Sequence, residues 1–409
     1  MPLNSQAVYL SGAVRTPIGR YGGSFLTLPA PELGALAARE ALIRSGFSAA
    51  EVQETIFGCA RQAGVGPNPA RQASHLAGIP DSVPAFTVNQ ACASGLKAIL
   101  LAARSVQASE SDPVLAGGME NMSRVPYLLS SVRFGVRMGH QELADSMVKD
   151  GFLCPLCGQI MGETAENLAR EYGISRLDQD RYAAQSQTRC QQARERGLFK
   201  EEIVPVETPG SKGVRNRVEA DEHPRDQVTV ESLAKLPPVY GEKGTVTAGS
   251  ASGITDGGAA LLVSRQRPRS TRGPVVRLEH WTSVGVEPSR MGIGPVPAIR
   301  KLLKHSALSL QDIDIVEINE AFAAQVLACQ RELNLDPEKL NPNGGAIALG
   351  HPIGCSGARI VVTLMHEMAR RKARYGIAAL CVSGGMGVAA LLESEPSTRE
   401  GGNSPTGDS

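Results

Sequence analysis

The sequence predicts an α/β fold made of two copies of one strand–helix unit, with a segment inserted between them. Three observations predict it: an internal repeat, a helical apolar period in the repeated segments, and strands that alternate with those helices. Ala41–Val52 matches Leu302–Ile313 at an offset of 261 residues. The helix that leads into the first copy carries Leu33, Leu36, Ala37 and Ala41, and the one in the second carries Ile299, Leu302, Leu303 and Ala307. Both sets follow i, i+3, i+4, i+8, the stripe of a helix with one buried face. Each helix feeds a short strand, Thr55–Gly58 in one copy and Val316–Asn319 in the other.

A second helix follows in each copy, opened by a Ser-Gly step after a cysteine, at Cys92–Ala98 and at Cys355–Ile360. Its apolar face is Leu96, Ile99, Leu100 and Ala103 in one half and Val361, Leu364, Met365 and Met368 in the other. An apolar strand then closes each copy with two glycines and Met, Val114–Met119 and Leu380–Met386. Strand–helix alternation favours a largely parallel sheet covered by helices. Residues 1–120, completed by about 246–270, form the first half, and 271–393 the second. Residues 121–245 break the pattern, with helices expected near Gly162–Tyr172 and Leu177–Arg196, and read as an excursion that covers something. The polar, Gly/Ser/Pro-rich residues 394–409 read as a disordered tail.

Composition narrows the function. Across 409 residues, 42 Lys+Arg stand against 41 Asp+Glu, so bulk charge holds neither nucleic acid nor an anionic membrane, and no nucleic-acid or membrane partner is expected. No apolar run reaches the length of a membrane span, and the N-terminus lacks the pattern of a secretory or transit peptide. The 8 cysteines are too scattered for a disulfide framework and read as reduced thiols, so a cytoplasmic location is expected.

Cys92 ends the apolar run Val83–Val88 and begins a helix, where the helix dipole is expected to lower its pKa. A buried small hydrophobe is the competing reading. His351, between Gly350 and Pro352, occupies in the second half nearly the position of Cys92 in the first, so packing about a pseudo-twofold axis brings the two together. Cys381 precedes Ser383-Gly-Gly-Met-Gly387, whose N–H groups suit an oxyanion hole. Asn319 reads on its own as a helix N-cap. Cys154 and Cys157 have redox or zinc spacing, with no second pair to complete a zinc site. Lys212, Arg215, Arg217 and Arg225 are a basic cluster that either meets phosphates or is a charged surface loop.

Together Val88–Leu96, Gly117–Ser123, Asn319-Glu-Ala-Phe322, Gly350–Gly354 and Cys381 before Gly-Gly-Met-Gly resemble the thiolase family, and its acetyl-CoA acetyltransferase branch most. The resemblance runs from Arg15 to about Glu393. It implies duplicated βαβαβαββ halves, two packed mixed sheets with helices in five layers, plus a loop domain that binds coenzyme A. It implies acyl transfer through a thioester on Cys92 activated by His351, with Cys381 as the second acid–base group. Backbone N–H groups of Cys92 and Ser383 then hold the acyl oxyanion, and His351 with a water on Asn319 holds the enolate. Coenzyme A contacts carried over are Met161, Arg225, Ser232, Leu236, Ala248, Ser252 and Phe322. Coenzyme A and acyl-CoA are substrates, no metal or cofactor is implied, and the assembly implied is a homodimer or homotetramer. This sequence departs from the family pattern at Ile160, where short-chain members have His, and at Ser383 and Ser250, where Gly and Asn are usual. Two other readings stand beside this one: a degradative 3-ketoacyl-CoA thiolase with a wider pocket, and a non-catalytic acyl-CoA-binding protein.

Overall fold

The computed structural model describes residues 7–210, 214–268 and 271–394. The first half runs β1 (Tyr9–Arg15), α1 (Ala30–Ser45), β2 (Glu54–Gly58), α2 (Pro69–Leu76), β3 (Ala85–Val88), α3 (Ser94–Ala108) and β4 (Val114–Asn121). The chain then leaves the sheet, forms α4 (Met161–Glu171) and α5 (Arg176–Glu195), and returns as β5 (Thr255–Ser264). The second half is β6 (Val276–Gly285), α6 (Pro295–Ser306), β7 (Ile315–Ile318), α7 (Ala323–Leu333), the short α8 (Ala346–Leu349), α9 (Ile353–Arg371), β8 (Tyr375–Val382) and β9 (Met386–Glu393).

The strand order is β3-β2-β4-β5-β1 in one half and β7-β8-β9-β6 in the other. The halves meet edge to edge where Tyr9 pairs with Arg277 and Leu10 with Val276. The counterpart of β3 shrinks in the second half to a single parallel bridge between Val316 and Leu340. Each half is mixed rather than largely parallel. β2 is parallel to β3 and β4, and β7 to β8, but β4–β5, β5–β1, β8–β9 and β9–β6 are antiparallel. The reason is connection length: Ser383–Gly385 is all that joins β8 to β9, far too short for the crossover a parallel pair requires.

Burial alternates along the strands and sorts the helices into layers. Ala116, Ala259 and Leu261 of one sheet and Ala378, Leu380 and Ala390 of the other face a shared core with α3 and α9 between them. Their neighbours Leu115, Ala260 and Leu262 face α1 and α2 on one outer side, while Ile377, Ala379 and Leu391 face α6 and α7 on the other. Helix, sheet, helix, sheet, helix: five layers result, from strands apolar on both faces.

The two central helices cross at glycines. A Cβ on Gly95 would stand 2.7 Å from the Ala358 nitrogen, and one on Gly357 would collide with the Leu96 backbone. The repeated Ser-Gly step is thus a packing device: it lets α3 and α9 touch backbone to backbone at their N-terminal ends. The Gly-Gly-Met repeat does not survive in the same way. Gly117 and Gly118 lie within β4, whereas Gly384 and Gly385 form the β8–β9 turn with φ of 86° and 84°. β9 ends at Glu393, and the next residue, Ser394, donates its N–H to the Arg374 carbonyl at 2.8 Å. The remainder of the expected tail lies outside the described residues.

The excursion is anchored on the second half. Glu320, just after β7, accepts from Tyr182 Oη at 2.9 Å and Ser186 Oγ at 2.7 Å, both on α5. Glu166 of α4 accepts the N–H groups of Thr245 and Val246 at 2.6 and 2.7 Å, fixing the returning strand.

Candidate active site

The backbone at Cys92 is a tight elbow between β3 and α3. Ala91 takes φ of 45°, a left-handed conformation uncommon for a residue with a Cβ, and a one-turn helix Ala91–Ala93 then leads into α3. The elbow is braced from within: Ser94 Oγ accepts the Gln90 N–H at 2.9 Å and donates to the Ala91 carbonyl at 2.7 Å. His351 likewise stands two residues before α9, after Gly350 at φ 99°. Cys92 packs against an apolar cluster that includes Ile353, two residues beyond His351.

Cys381 approaches from the C-terminal end of β8. It is fully buried, and burial followed by the repulsion of a neighbouring Cys92 thiolate pushes its pKa well up. The Ser383 N–H in the turn beyond acts on the Cys92 sulfur and favours its thiolate. Cys92, Cys381 and the Ser383 N–H are therefore neighbours. Cys92 retains partial exposure, so a substrate can reach it. The helix position was expected to lower the Cys92 pKa, but burial outweighs it and pushes the thiol up, opposed by the Ser383 N–H and the Arg61 charge. A neutral thiol needs a base.

His351 has the form of one. Ser356 Oγ donates to the Pro352 carbonyl at 3.0 Å, so it accepts from His351 Nδ1–H at 2.5 Å. That assigns the proton to Nδ1 and the lone pair to Nε2. Asn319 Nδ2 approaches Nε2 at 3.5 Å. Burial, helped by the positive Arg359 and Arg61, lowers the imidazole pKa to about 3, so the ring is neutral near pH 7. Asn319 is not a helix cap, because α7 begins at Ala323 with Phe322 as its N-cap. Its Oδ1 is buried without a partner in the protein, which suits a hydrogen-bonded water or substrate oxygen at that point.

Four supporting residues carry no role in the sequence reading. Ser356 sets the imidazole tautomer. Glu120 of β4 accepts the N–H groups of Ala60 at 3.1 Å, Arg61 at 3.1 Å and Gly354 at 2.8 Å, tying the His351 loop to the first half. Arg61 supplies the charge felt by both Cys92 and His351. Glu320 joins α5 to the Asn319 loop. The signal for Ser356 was the repeated Ser-Gly step, and for Glu120 its place directly after Gly-Gly-Met.

Of the carried-over coenzyme A positions, Met161 and Phe322 lie in one apolar cluster, against which Leu236 also packs. Ser252 joins them, its N–H donating to the Ala321 carbonyl at 3.0 Å, and the same stretch reaches the catalytic loop where the His351 N–H donates to the Gly253 carbonyl at 2.9 Å. Ala248 and Ser232 are exposed, the Ser232 hydroxyl being engaged with its own helix cap at Thr229. Arg225 is also exposed, and its charge acts on the His223 ring. The basic cluster is not assembled: Arg215 pairs with Glu207 at 2.9 Å and Arg217 with Glu219 at 3.0 Å, while Lys212 lies outside the described residues. Among the described residues no group of His, Cys, Asp and Glu has the make-up of a metal site, and no helix is long and apolar enough to cross a membrane.

The family model for the thiolase N-terminal domain matches residues 8–267, and that for the thiolase C-terminal domain matches 272–394. The acetyl-CoA acetyltransferase of Pseudomonas aeruginosa is 49% identical over 389 residues, covering 95% of this chain and 99% of that protein. The crystal structure of the Bacillus anthracis acetyl-CoA acetyltransferase superposes with a TM-score of 0.91 at 43% identity, over 96% of this chain and 99% of that one. Human mitochondrial 3-ketoacyl-CoA thiolase in complex with CoA gives 0.90 at 41% identity, over 95% and 98%. With both halves matched and the reactive side chains gathered at their junction, the chain belongs to the thiolase family and is an acyltransferase.

Proposed function

We propose that this thiolase condenses two acetyl-CoA molecules to acetoacetyl-CoA and CoA, and runs the reverse thiolysis, through an acetyl thioester on Cys92. The observation that carries the reading is the closeness of the Cys92 sulfur to the Cys381 sulfur and the Ser383 N–H, which act on one another electrostatically. Nε2 of neutral His351 takes the Cys92 proton, and the thiolate attacks the acetyl carbonyl while the N–H groups of Cys92 and Ser383 hold the oxyanion. The departing CoA thiolate takes the Cys381 proton. Cys381 thiolate then removes the α-proton of a second acetyl-CoA, and the enolate, held by imidazolium His351 and a water on Asn319, attacks the acetyl group. Cys92 leaves as thiolate and recovers its proton from His351. Protons balance, and the thioester alone makes the α-proton removable, so the reading requires coenzyme A and acyl-CoA as substrates and no cofactor.

Met161, Leu236, Ala248, Ser252 and Phe322 would line the pantetheine path, with Ser232 and Arg225 at the nucleotide end. We further propose a homodimer or homotetramer, supported by the exposed Phe86 (39% accessible) on the edge strand β3, and a cytoplasmic location, in keeping with the scattered free cysteines. The test is thiolysis of 3-ketoacyl-CoAs of graded length by the wild type and Cys92→Ser, with intact-mass detection of the acyl-enzyme. Acetoacetyl-CoA as preferred substrate and no adduct on Cys92→Ser are expected. A strong preference for long chains would move the assignment to a degradative thiolase, and absence of an adduct on the wild type would leave an acyl-CoA binder.

A further inference from the structure

Cys154 and Cys157 take no part in the chemistry above. They bracket the turn of a small hairpin in which Leu153 pairs with Ile160 and Cys154 with Gln159. The turn closes with the Gly158 N–H donating to the Cys154 carbonyl at 2.8 Å. Cys154 is fully buried in the cluster that also contains Cys381 and Phe322, whereas Cys157 is partly exposed. The two thiols are neighbours. Burial raises the Cys154 pKa, but the nearby N–H groups of Cys157, Leu156 and Gly384, with the Cys157 thiol, outweigh it and lower it overall, while burial and the neighbouring Cys154 raise that of Cys157. Gly384 belongs to the turn whose preceding N–H, on Ser383, faces Cys92, and a side chain there would rest against exposed Leu156. The hairpin thus touches the oxyanion-binding turn from behind.

We propose that Cys154 and Cys157 form a redox-active dithiol whose oxidation by low-molecular-weight disulfides loosens the Ser383–Gly385 turn and slows acyl transfer. The accessible Cys157 attacks a disulfide RSSR as thiolate, giving a Cys157–SR mixed disulfide and releasing RSH after protonation. Cys154 thiolate then attacks the Cys157 sulfur and expels the second thiol, so two thiols and one RSSR become one protein disulfide and two RSH. Residues three apart in a tight turn have Cα atoms within disulfide reach. In the disulfide the Cys154 sulfur can carry no charge, so the favourable influence of the Gly384 N–H on it is lost.

The test equilibrates the full chain with glutathione buffers of graded oxidation. In Cys92→Ser, peptide mapping is expected to show loss of two hydrogens on the peptide that holds Cys154 and Cys157, restored by dithiothreitol. In the wild type, kcat should fall about fivefold along the same titration, the size expected from losing one ordinary hydrogen bond. Cys157→Ser and Cys157→Ala are expected to keep their kcat over that range, any loss common to all three chains belonging to Cys92 or Cys381. Absence of the intramolecular disulfide on the map overturns the site, and coincident activity curves in all three chains overturn its link to the turn. The activity arm rests on the acyl-transfer reading, while the mass map does not, so the two can fail separately.

Discussion

Replacing Ser356 by alanine removes the acceptor of His351 Nδ1–H, at 2.5 Å, which has no other among the described residues, and leaves the rest of α9 in place. A buried N–H without an acceptor costs about 1–3 kcal/mol. The ring avoids that penalty only by moving its proton to Nε2, which removes the lone pair that faces Asn319 and is needed to deprotonate Cys92. Either way the cost falls on acylation, and at about 1.4 kcal/mol per tenfold it slows that step roughly 5- to 150-fold. The neutral, buried Cys92 thiol offers no escape, since its pKa is raised and little thiolate forms unaided. The assay is rapid quench with saturating acetyl-CoA, following the acetyl adduct on the intact chain by mass, with the thermal midpoint measured in parallel. Acylation by Ser356→Ala within twofold of the wild-type rate, in a folded chain, refutes the tautomer argument and with it the role given to Nε2.

Other expectations follow from the same structure. Gly357→Ala pushes a Cβ into the Leu96 backbone at the α3–α9 crossing, and should lower stability by about 1–3 kcal/mol in denaturant titration while abolishing the acyl adduct. Because the imidazole pKa is held near 3, kcat/KM should show no acid limb from His351 between pH 5 and 8; a limb near 6.5 that vanishes in His351→Asn would contradict the burial argument. Glu317, buried near Arg359, has its carboxyl pushed up to about 8. Its folded pKa exceeds the unfolded value, so the folded state binds the extra proton and the wild type loses stability as pH rises from about 4.5 to 8, by at most about 1.4 kcal/mol per unit. Glu317→Gln should remove that slope in denaturation at pH 5.5 and 8, and equal slopes in the two chains would refute it. Glu120→Gln keeps the shape but weakens the grip on the N–H groups of Ala60, Arg61 and Gly354, and should cut kcat with little change in KM for acetyl-CoA.

The parts of this molecule legible in sequence are those governed by local period and by repetition. The stripes at Leu33–Ala41 and Ile299–Leu303 lie on α1 and α6, with Ala307 exposed one residue past α6, and the equivalent placement of Cys92 and His351 before α3 and α9 follows from the repeated Ser-Gly step. What remained hidden depends on partners distant in the chain. Asn319 reads as a cap because its helix is near, but its side chain turns to His351, 32 residues on. For Arg215 and Arg217 the sequence left phosphate contact and a charged surface loop open, and only the hairpin that sets Glu207 opposite Arg215, with Glu219 beside Arg217, favours the loop. The Gly-Gly-Met likeness misleads because sheet register, not sequence order, decides that one glycine pair lies within a strand and the other in a turn. The sign of the Cys92 pKa shift was missed since burial depends on the whole second half.

The glycine crossing of α3 and α9 also sets where the molecule tolerates added bulk. Each half supplies only part of the reactive set, Cys92 from one and His351, Asn319 and Cys381 from the other. The approach of those parts is set at Gly95 and Gly357, where any added Cβ meets the backbone of the opposite helix. Two residues without a side chain thus hold the catalytic ones in register.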